Sequence, residues 1–332
     1  MVSNSLWSSW NSIVSLFTLL DWVGLTIVFM LVCVLAYLIW RRKQAEQDGK
    51  QSLAPTMTVP KMLELPSDCL LKIWRDFTAA IPWRLRPDVL SAPLSLVIGD
   101  AGCGKTGIID RYADWQGQVY RFHPSAIEDS LLQVYAGPKS LILEFGSQLI
   151  YDTHPAAFRA IKQLWRRLPP NPQAMLVIDA NTLLTPQSEI LRQSGPALFG
   201  KLKIFGKLEG KPLPVILALT HMEKVEGFVE FSQFLQQVGI PLQIEFPERD
   251  GLKRLQTALD HFKQYLNQAL LNQSSQDYLK IITFFNEVPR VFEVLLDYFR
   301  VAGVEQDLTA IPIVRLVLFS DQIQSFGSRP FA

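Results

Sequence analysis

One stretch limits what this chain can fold into more than any other: Gly99-Asp100-Ala101-Gly102-Cys103-Gly104-Lys105-Thr106, preceded by the apolar run Leu94-Ser95-Leu96-Val97-Ile98. It fits G-x-x-x-x-G-K-[ST], the phosphate loop that joins a strand to a helix in α/β nucleotide-binding proteins. Chemistry sets that spacing. Glycines let consecutive backbone N–H groups turn inward on phosphate oxygens, Lys105 reaches toward the β- and γ-phosphates, and the Thr106 hydroxyl offers a ligand to Mg²⁺. All eight residues from Gly99 to Thr106 are therefore candidate cofactor contacts, the cofactor being ATP or GTP with Mg²⁺, and Thr106 is the candidate metal ligand. Ile108, Ile109 and Tyr112 open a helical stripe directly after the loop, which supplies the strand-loop-helix setting the motif needs. A glycine-rich turn with no ligand is the plainer alternative.

Composition adds a membrane segment. Hydrophobic residues make up 48% of the 332 and charged ones 19%, a tilt toward apolar content relative to soluble domains. The excess collects in 22–40, which has no charged residue. At 1.5 Å per residue that run spans about 28 Å, the thickness of a bilayer's hydrocarbon layer. Arg41, Arg42 and Lys43 follow at once, whereas 1–21 holds no Lys or Arg. By the positive-inside rule the N-terminus is then periplasmic and everything after the span cytoplasmic. No basic n-region precedes the run and no small-residue cleavage site follows it, which argues against a signal peptide. Upstream, Trp7, Trp10, Ile13, Val14, Phe17 and Leu20 recur at helical spacing, as in an interfacial helix or an unstructured lead-in. A net charge of +1 gives no global basic field, so nucleic acid is not an expected partner. Cys33, Cys69 and Cys103 form neither a metal-type cluster nor an even disulfide framework.

After a polar linker over 44–62, the spacing predicts a helix from Ser67 to about Ala80. Short apolar runs at 140–145, 174–179, 213–220 and 242–246 read as strands, with helical spacing over 155–168, 187–208 and 226–238 between them. Alternation of that kind predicts a mostly parallel, doubly wound sheet. Gly195-Pro196 and Gly200 weaken the second of those helices. Beyond it, Leu252 to Leu270 and Phe284 to Phe299 carry amphipathic stripes, the latter interrupted at Pro289, and Ile313 to Phe319 is a last strand. The expected fold is α/β of the P-loop NTPase type. Its parts are a periplasmic segment 1–21, a transmembrane helix 22–40, a cytoplasmic linker 41–62, a nucleotide-binding domain 63–248 and a helical extension 249–332 ending in a strand.

A phosphate loop alone binds; hydrolysis also needs a carboxylate near Mg²⁺ at a neighbouring strand end. Two candidate catalytic residues present themselves. In Leu141-Ile142-Leu143-Glu144-Phe145-Gly146 the spacing to Gly146 is like the D-x-x-G switch of GTPases, but Leu143 stands at the aspartate position. Glu144, one residue late, is expected to face the other way because strand side chains alternate, unless a bulge intervenes. The second is Asp179, at the end of Met175-Leu176-Val177-Ile178, a Walker-B-like string in which the aspartate also suits a turn cap. Guanine recognition by an N/T-K-x-D string would fall on Thr220-His221-Met222-Glu223, where histidine replaces the lysine and glutamate the aspartate. Thr220 and Glu223 are candidate base-side contacts there, or plain loop residues. His123, His154, His221 and His261 read as ordinary surface or packing histidines.

Several strings in one order resemble the IcmF/TssM family. They are the membrane run with its basic flank, Pro82-Trp83, Leu96-Val97-Ile98 with Gly99 to Thr106, Thr220 with Gly227-Phe228, and Pro312-Ile313-Val314-Arg315-Leu316-Val317-Leu318-Phe319-Ser320. Members are inner-membrane components of bacterial type VI secretion, with relatives in type IVB secretion, and the likeness covers roughly residues 20 to 327. It implies an inner-membrane scaffold that joins TssL- and TssJ-type partners and contacts the baseplate, with Gly99, Gly104, Lys105 and Thr106 as its phosphate loop and Thr220 opening its T-K-x-D string. His221, Glu223 and Leu143 depart from that pattern. The hairpin's first helix is absent or reduced to 5–20, and Ala332 falls before the family's next membrane helix and periplasmic part, so a TssJ-type contact is not expected. The leading expectation is a membrane-anchored scaffold that binds nucleotide with weak or no hydrolysis. The alternatives are an active membrane-tethered ATPase or GTPase, and an interaction module whose loop is vestigial.

Overall fold

The computed structural model describes residues 68–112, 120–122, 131–137, 139–185, 188–246, 260–272, 275–301 and 312–320. The expected membrane helix 22–40, the segments on either side of it and Ser67 lie outside them. Among the described residues no helix is long and apolar enough to cross a membrane.

In chain order the elements are α1 (Cys69–Ala80), α2 (Arg86–Ser91), β1 (Leu94–Gly99), α3 (Lys105–Tyr112), β2 (Tyr120–Phe122), β3 (Leu132–Ala136) and β4 (Leu141–Phe145). There follow α4 (Ser147–Tyr151), α5 (Pro155–Trp165), β5 (Gln173–Asp179), α6 (Ala180–Leu184), α7 (Ser188–Glu209) and β6 (Val215–Thr220). The last are α8 (Phe228–Gln237), β7 (Gln243–Glu245), α9 (Leu266–Asn272), α10 (Ser275–Val301) and β8 (Ile313–Leu318). All eight strands join one sheet in the order β2-β3-β4-β1-β5-β6-β8-β7. The inner strands β4, β1, β5, β6 and β8 are parallel, and β2, β3 and β7 add antiparallel pairings at the two edges. The sheet is thus mixed, a parallel centre with antiparallel margins.

Parallel strands buried on both faces read as continuous apolar runs, and alternation then sorts them. Leu96 and Ile98 of β1, Leu143 of β4, Leu176 of β5 and Leu217 of β6 enter the larger core with α1, α5, α7, α8 and α10. Val97, Ile142, Met175, Val177, Ile216 and Val317 face the opposite way, against Ile108 and Ile109 of α3.

Two prolines sit inside helices. α7 runs unbroken through Pro196, although an interior proline costs about 3 kcal/mol. Leu198, Phe199, Leu202 and Phe205 of that helix are buried, and each apolar side chain contributes about 1.5–3 kcal/mol, so packing wins. Gly195 makes a close approach there: a Cβ would lie 3.1 Å from the Tyr298 ring of α10. α10 likewise continues through Pro289, where an interruption is expected from sequence, because Val288, Val291, Phe292 and Leu295 are buried around it.

The boundary at 248/249 marks no separate unit. β8 lies between β6 and β7 in the same sheet, and α10 packs on α6, α7 and α8. The described strand of the tail, β8, covers the edge of β6.

Candidate functional site

The C-terminal ends of the parallel strands share one edge, and the loop 99–106 leaves β1 there for α3 on one face of the sheet, whereas its neighbours β4 and β5 lead into α4 and α6 on the other. Ligands of open α/β sheets bind at such a switch point. Local geometry makes the loop. Gly104 has φ +84°, a left-handed conformation that side chains resist, and Gly99 passes so close to β5 that a Cβ would lie 2.5 Å from the Val177 carbonyl oxygen.

Lys105, the first residue of α3, is buried, and its Nζ donates to the carbonyls of Gly99 at 3.0 Å and Asp100 at 2.7 Å. The ammonium is thus held at the loop it is expected to serve. Thr106 follows on the exposed side of the helix start, and its hydroxyl donates to both Glu144 oxygens, at 3.1 and 3.2 Å. Glu144 is buried, and the Tyr135 hydroxyl donates to its Oε2 at 2.9 Å.

The orientation expected for Glu144 is corrected by this contact. Strand alternation holds and no bulge intervenes, for β4 pairs with β1 in register as Leu96↔Leu143 and Val97↔Glu144. The phosphate-loop helix packs on the Val97 face, so Glu144 faces Thr106 and Leu143 enters the large core. The face, and not the alternation, is what sequence reading misassigns.

Asp179 lies at the end of β5, caps α6 by accepting from the Asn181 N–H at 2.9 Å, and pairs with His221 Nδ1 at 3.0 Å. Neither contact is to Lys105 or Thr106. Thr220 is buried at the end of β6 and donates to the Cys103 carbonyl at 2.7 Å and the Ile178 carbonyl at 3.2 Å, bracing the loop from behind. His221 takes a left-handed backbone, φ 52°, and its ring lies near Gly104. Glu223 sits in the short 3-10 turn Met222–Lys224, partly exposed.

Two tyrosines complete the surroundings. The Tyr151 hydroxyl of α4 donates to Asp100 Oδ1. Tyr298 of α10 shares a cleft with Asp100, Cys103 and Asp179, and its hydroxyl is paired with Ser194 at 3.4 Å. Burial, helped by the Asp100 carboxylate, holds the Tyr151 hydroxyl well above its ordinary pKa. Burial also pushes the Cys103 thiol up to about 12 against the pull of Lys105. Sequence reading missed Tyr135, on a strand whose alternation Leu132-Gln133-Val134 is its only signal, and missed the pairing of His221 with Asp179.

The residues present fit a Mg-nucleotide. Glycine-shaped backbone, a buried lysine and a threonine hydroxyl beside a carboxylate are the donor set a bound phosphate and its cation use. Lys105 and the loop N–H groups would hold phosphate oxygens; Thr106, with Glu144 behind it, would serve the cation, whose chemistry is to neutralise phosphate charge.

No protein-family model matches the chain, and no curated protein matches it in sequence. Among solved structures it is similar to the small COPII coat GTPase SAR1 of Encephalitozoon cuniculi in complex with GDP, at 11% identity and a TM-score of 0.29, over 73% of this chain and 92% of that one. It is also similar to the G domain of the T. maritima FeoB iron transporter, at 17% identity and 0.25 over 45% and 84%. A third is the GDP-Mg form of the signal recognition particle receptor SRb of Chaetomium thermophilum, at 18% and 0.25 over 45% and 74%. The assignment to an α/β fold with a phosphate-type loop rests on the strand order and loop geometry above.

Proposed function

We propose that this chain binds a nucleoside triphosphate, ATP or GTP with Mg²⁺, at Gly99 to Thr106, and works as an inner-membrane-anchored scaffold of a type VI-like secretion complex. The observation that carries the nucleotide reading is the contact of Thr106 with buried Glu144 beside the buried Lys105 ammonium. The scaffold reading is supported by the IcmF/TssM resemblance and by the uncharged run 22–40 with its basic flank, a pattern that favours a cytoplasmic main domain. TssL-like and baseplate partners follow from that resemblance alone. His221 and Glu223 in place of lysine and aspartate favour weak discrimination between bases.

Calorimetry of the full chain with Mg-ATP and Mg-GTP is the test. Binding of either, lost in Lys105→Ala, is the expected result; silence with both removes the nucleotide reading and leaves a scaffold. A second reading, slow hydrolysis, is favoured by one observation: Glu144 faces Thr106, so a carboxylate stands where a cation-assisted reaction needs it. Phosphate release that survives Asp179→Asn and is lost in Glu144→Gln would support it.

A further inference from the structure

Tyr135 has no part in the function proposed above, yet it touches that site. Its side chain is wholly buried on β3, and its hydroxyl reaches Glu144 Oε2 at 2.9 Å with Gln133 Oε1 also as a partner. Thr106 donates to the same carboxylate at 3.1 and 3.2 Å. Two hydroxyls therefore meet at Glu144, one from the antiparallel margin of the sheet and one from the start of α3.

A threonine hydroxyl has one proton and two lone pairs. With the proton committed to Glu144, the lone pairs point away from the carboxylate. A hydroxyl ligates a hard cation through a lone pair, and this contact leaves the lone pairs of Thr106 available to one. A free glutamate loses rotamer entropy when it is fixed. The Tyr135 hydroxyl, itself set by a strand, offsets part of that loss.

From this geometry we infer that Tyr135 is a positioning residue for the metal: it fixes the Glu144 carboxylate, which in turn presents the Thr106 oxygen to a divalent cation. The inference rests on the nucleotide reading above.

The test is binding of a fluorescent nucleotide to the full chain, once in EDTA and once across a Mg²⁺ titration, for wild type, Tyr135→Phe, Glu144→Gln and the double variant. Groups that hydrogen-bond to a metal's ligands and orient them typically contribute about 10–100-fold in metal affinity. Tyr135→Phe is expected to raise the Mg²⁺ midpoint about tenfold while affinity in EDTA stays unchanged. In the Glu144→Gln background the same substitution should move the midpoint no further. Equal midpoints for wild type and Tyr135→Phe, equal loss with and without metal, or simple additivity in the double variant would each overturn the inference. Wild-type binding that ignores Mg²⁺ would also overturn it but leave nucleotide binding standing; no wild-type binding at all would remove both. Should Tyr135→Phe fail to fold, Gln133→Leu, which removes the phenol's other partner, must shift the Mg²⁺ midpoint without changing affinity in EDTA, or the idea fails.

Discussion

Thr220 Oγ1 donates to the Cys103 carbonyl at 2.7 Å, so the end of β6 fastens the middle of the phosphate loop although more than a hundred residues separate the two. The second contact, to the Ile178 carbonyl, ties the same hydroxyl to β5. Thr220→Val keeps the shape and removes both bonds, leaving two buried carbonyls short of a donor. The expected cost is about 1–3 kcal/mol in urea unfolding, together with weaker nucleotide binding because the loop loses its brace. Unchanged stability would mean that the carbonyls find other donors.

Gly99→Ala tests the close approach of β1 to β5. The new methyl carbon would lie 2.5 Å from the Val177 carbonyl oxygen and 2.7 Å from Cys103 Sγ. The thiol can move; a backbone carbonyl in a parallel ladder cannot without breaking the register Gly99↔Val177. A loss of about 1–3 kcal/mol, the range for overpacking, is expected from thermal unfolding. Nucleotide affinity should fall with it.

The strands that carry the site were legible because each inner strand is an apolar run ended by a turn signal, and five such runs survive as β1, β4, β5, β6 and β8. What escaped was set by three-dimensional partners. Pro196 and Pro289 argue locally for breaks, and only burial of Phe199 or Phe292 against other helices outweighs them. β2 is only three residues long and Gln133 interrupts the apolar run of β3, so Tyr135 went unseen. Leu143 and Glu144 show the limit most clearly: alternation says they face opposite sides, but which side holds α3 depends on how the whole sheet is covered.

Asp179 is expected to matter for stability and not for nucleotide chemistry. It caps α6 and holds His221. Asp179→Asn retains a capping oxygen and should cost less than about 1 kcal/mol, whereas Asp179→Ala should cost about 1–2 kcal/mol. Circular-dichroism melts give the ranking. Both variants should bind Mg-nucleotide like wild type, and loss of binding in Asp179→Asn would return Asp179 to the site.

Lys201 of α7 supplies a pH signature. Its Nζ donates to the Asp152 carbonyl at 2.6 Å, and burial lowers its pKa to about 8 although Asp152 pulls the other way. Between about pH 8 and 10.5 the unfolded chain holds a proton that the folded one has released, so this group makes stability rise with pH. Tyr135, Tyr151 and Tyr298 have raised values and push in the opposite direction at high pH. The quantity to read is therefore the difference between wild type and Lys201→Met. It should shift in favour of wild type by on the order of 1–3 kcal/mol between pH 8 and 10.5 in urea titrations. A flat difference would mean that the ammonium is better solvated than its surroundings imply.

Cys103 gives a chemical check on the loop's packing. Thiolate is the reactive form, and burial lifts the thiol to about 12, with Lys105 lowering it only in part. At pH 8 its thiolate fraction is on the order of a thousandfold below that of an unperturbed thiol, and the sulfur is also shielded. Iodoacetamide followed by peptide mass spectrometry should thus leave Cys103 unmodified in the folded chain and label it readily in urea. Thr220→Val frees the carbonyl that pins Cys103, so labelling of the folded variant should speed up, by at least tenfold if opening of the loop is what admits the reagent. Rapid labelling of wild type would contradict a closed loop braced by β6, because neither a raised pKa nor a shielded sulfur permits it.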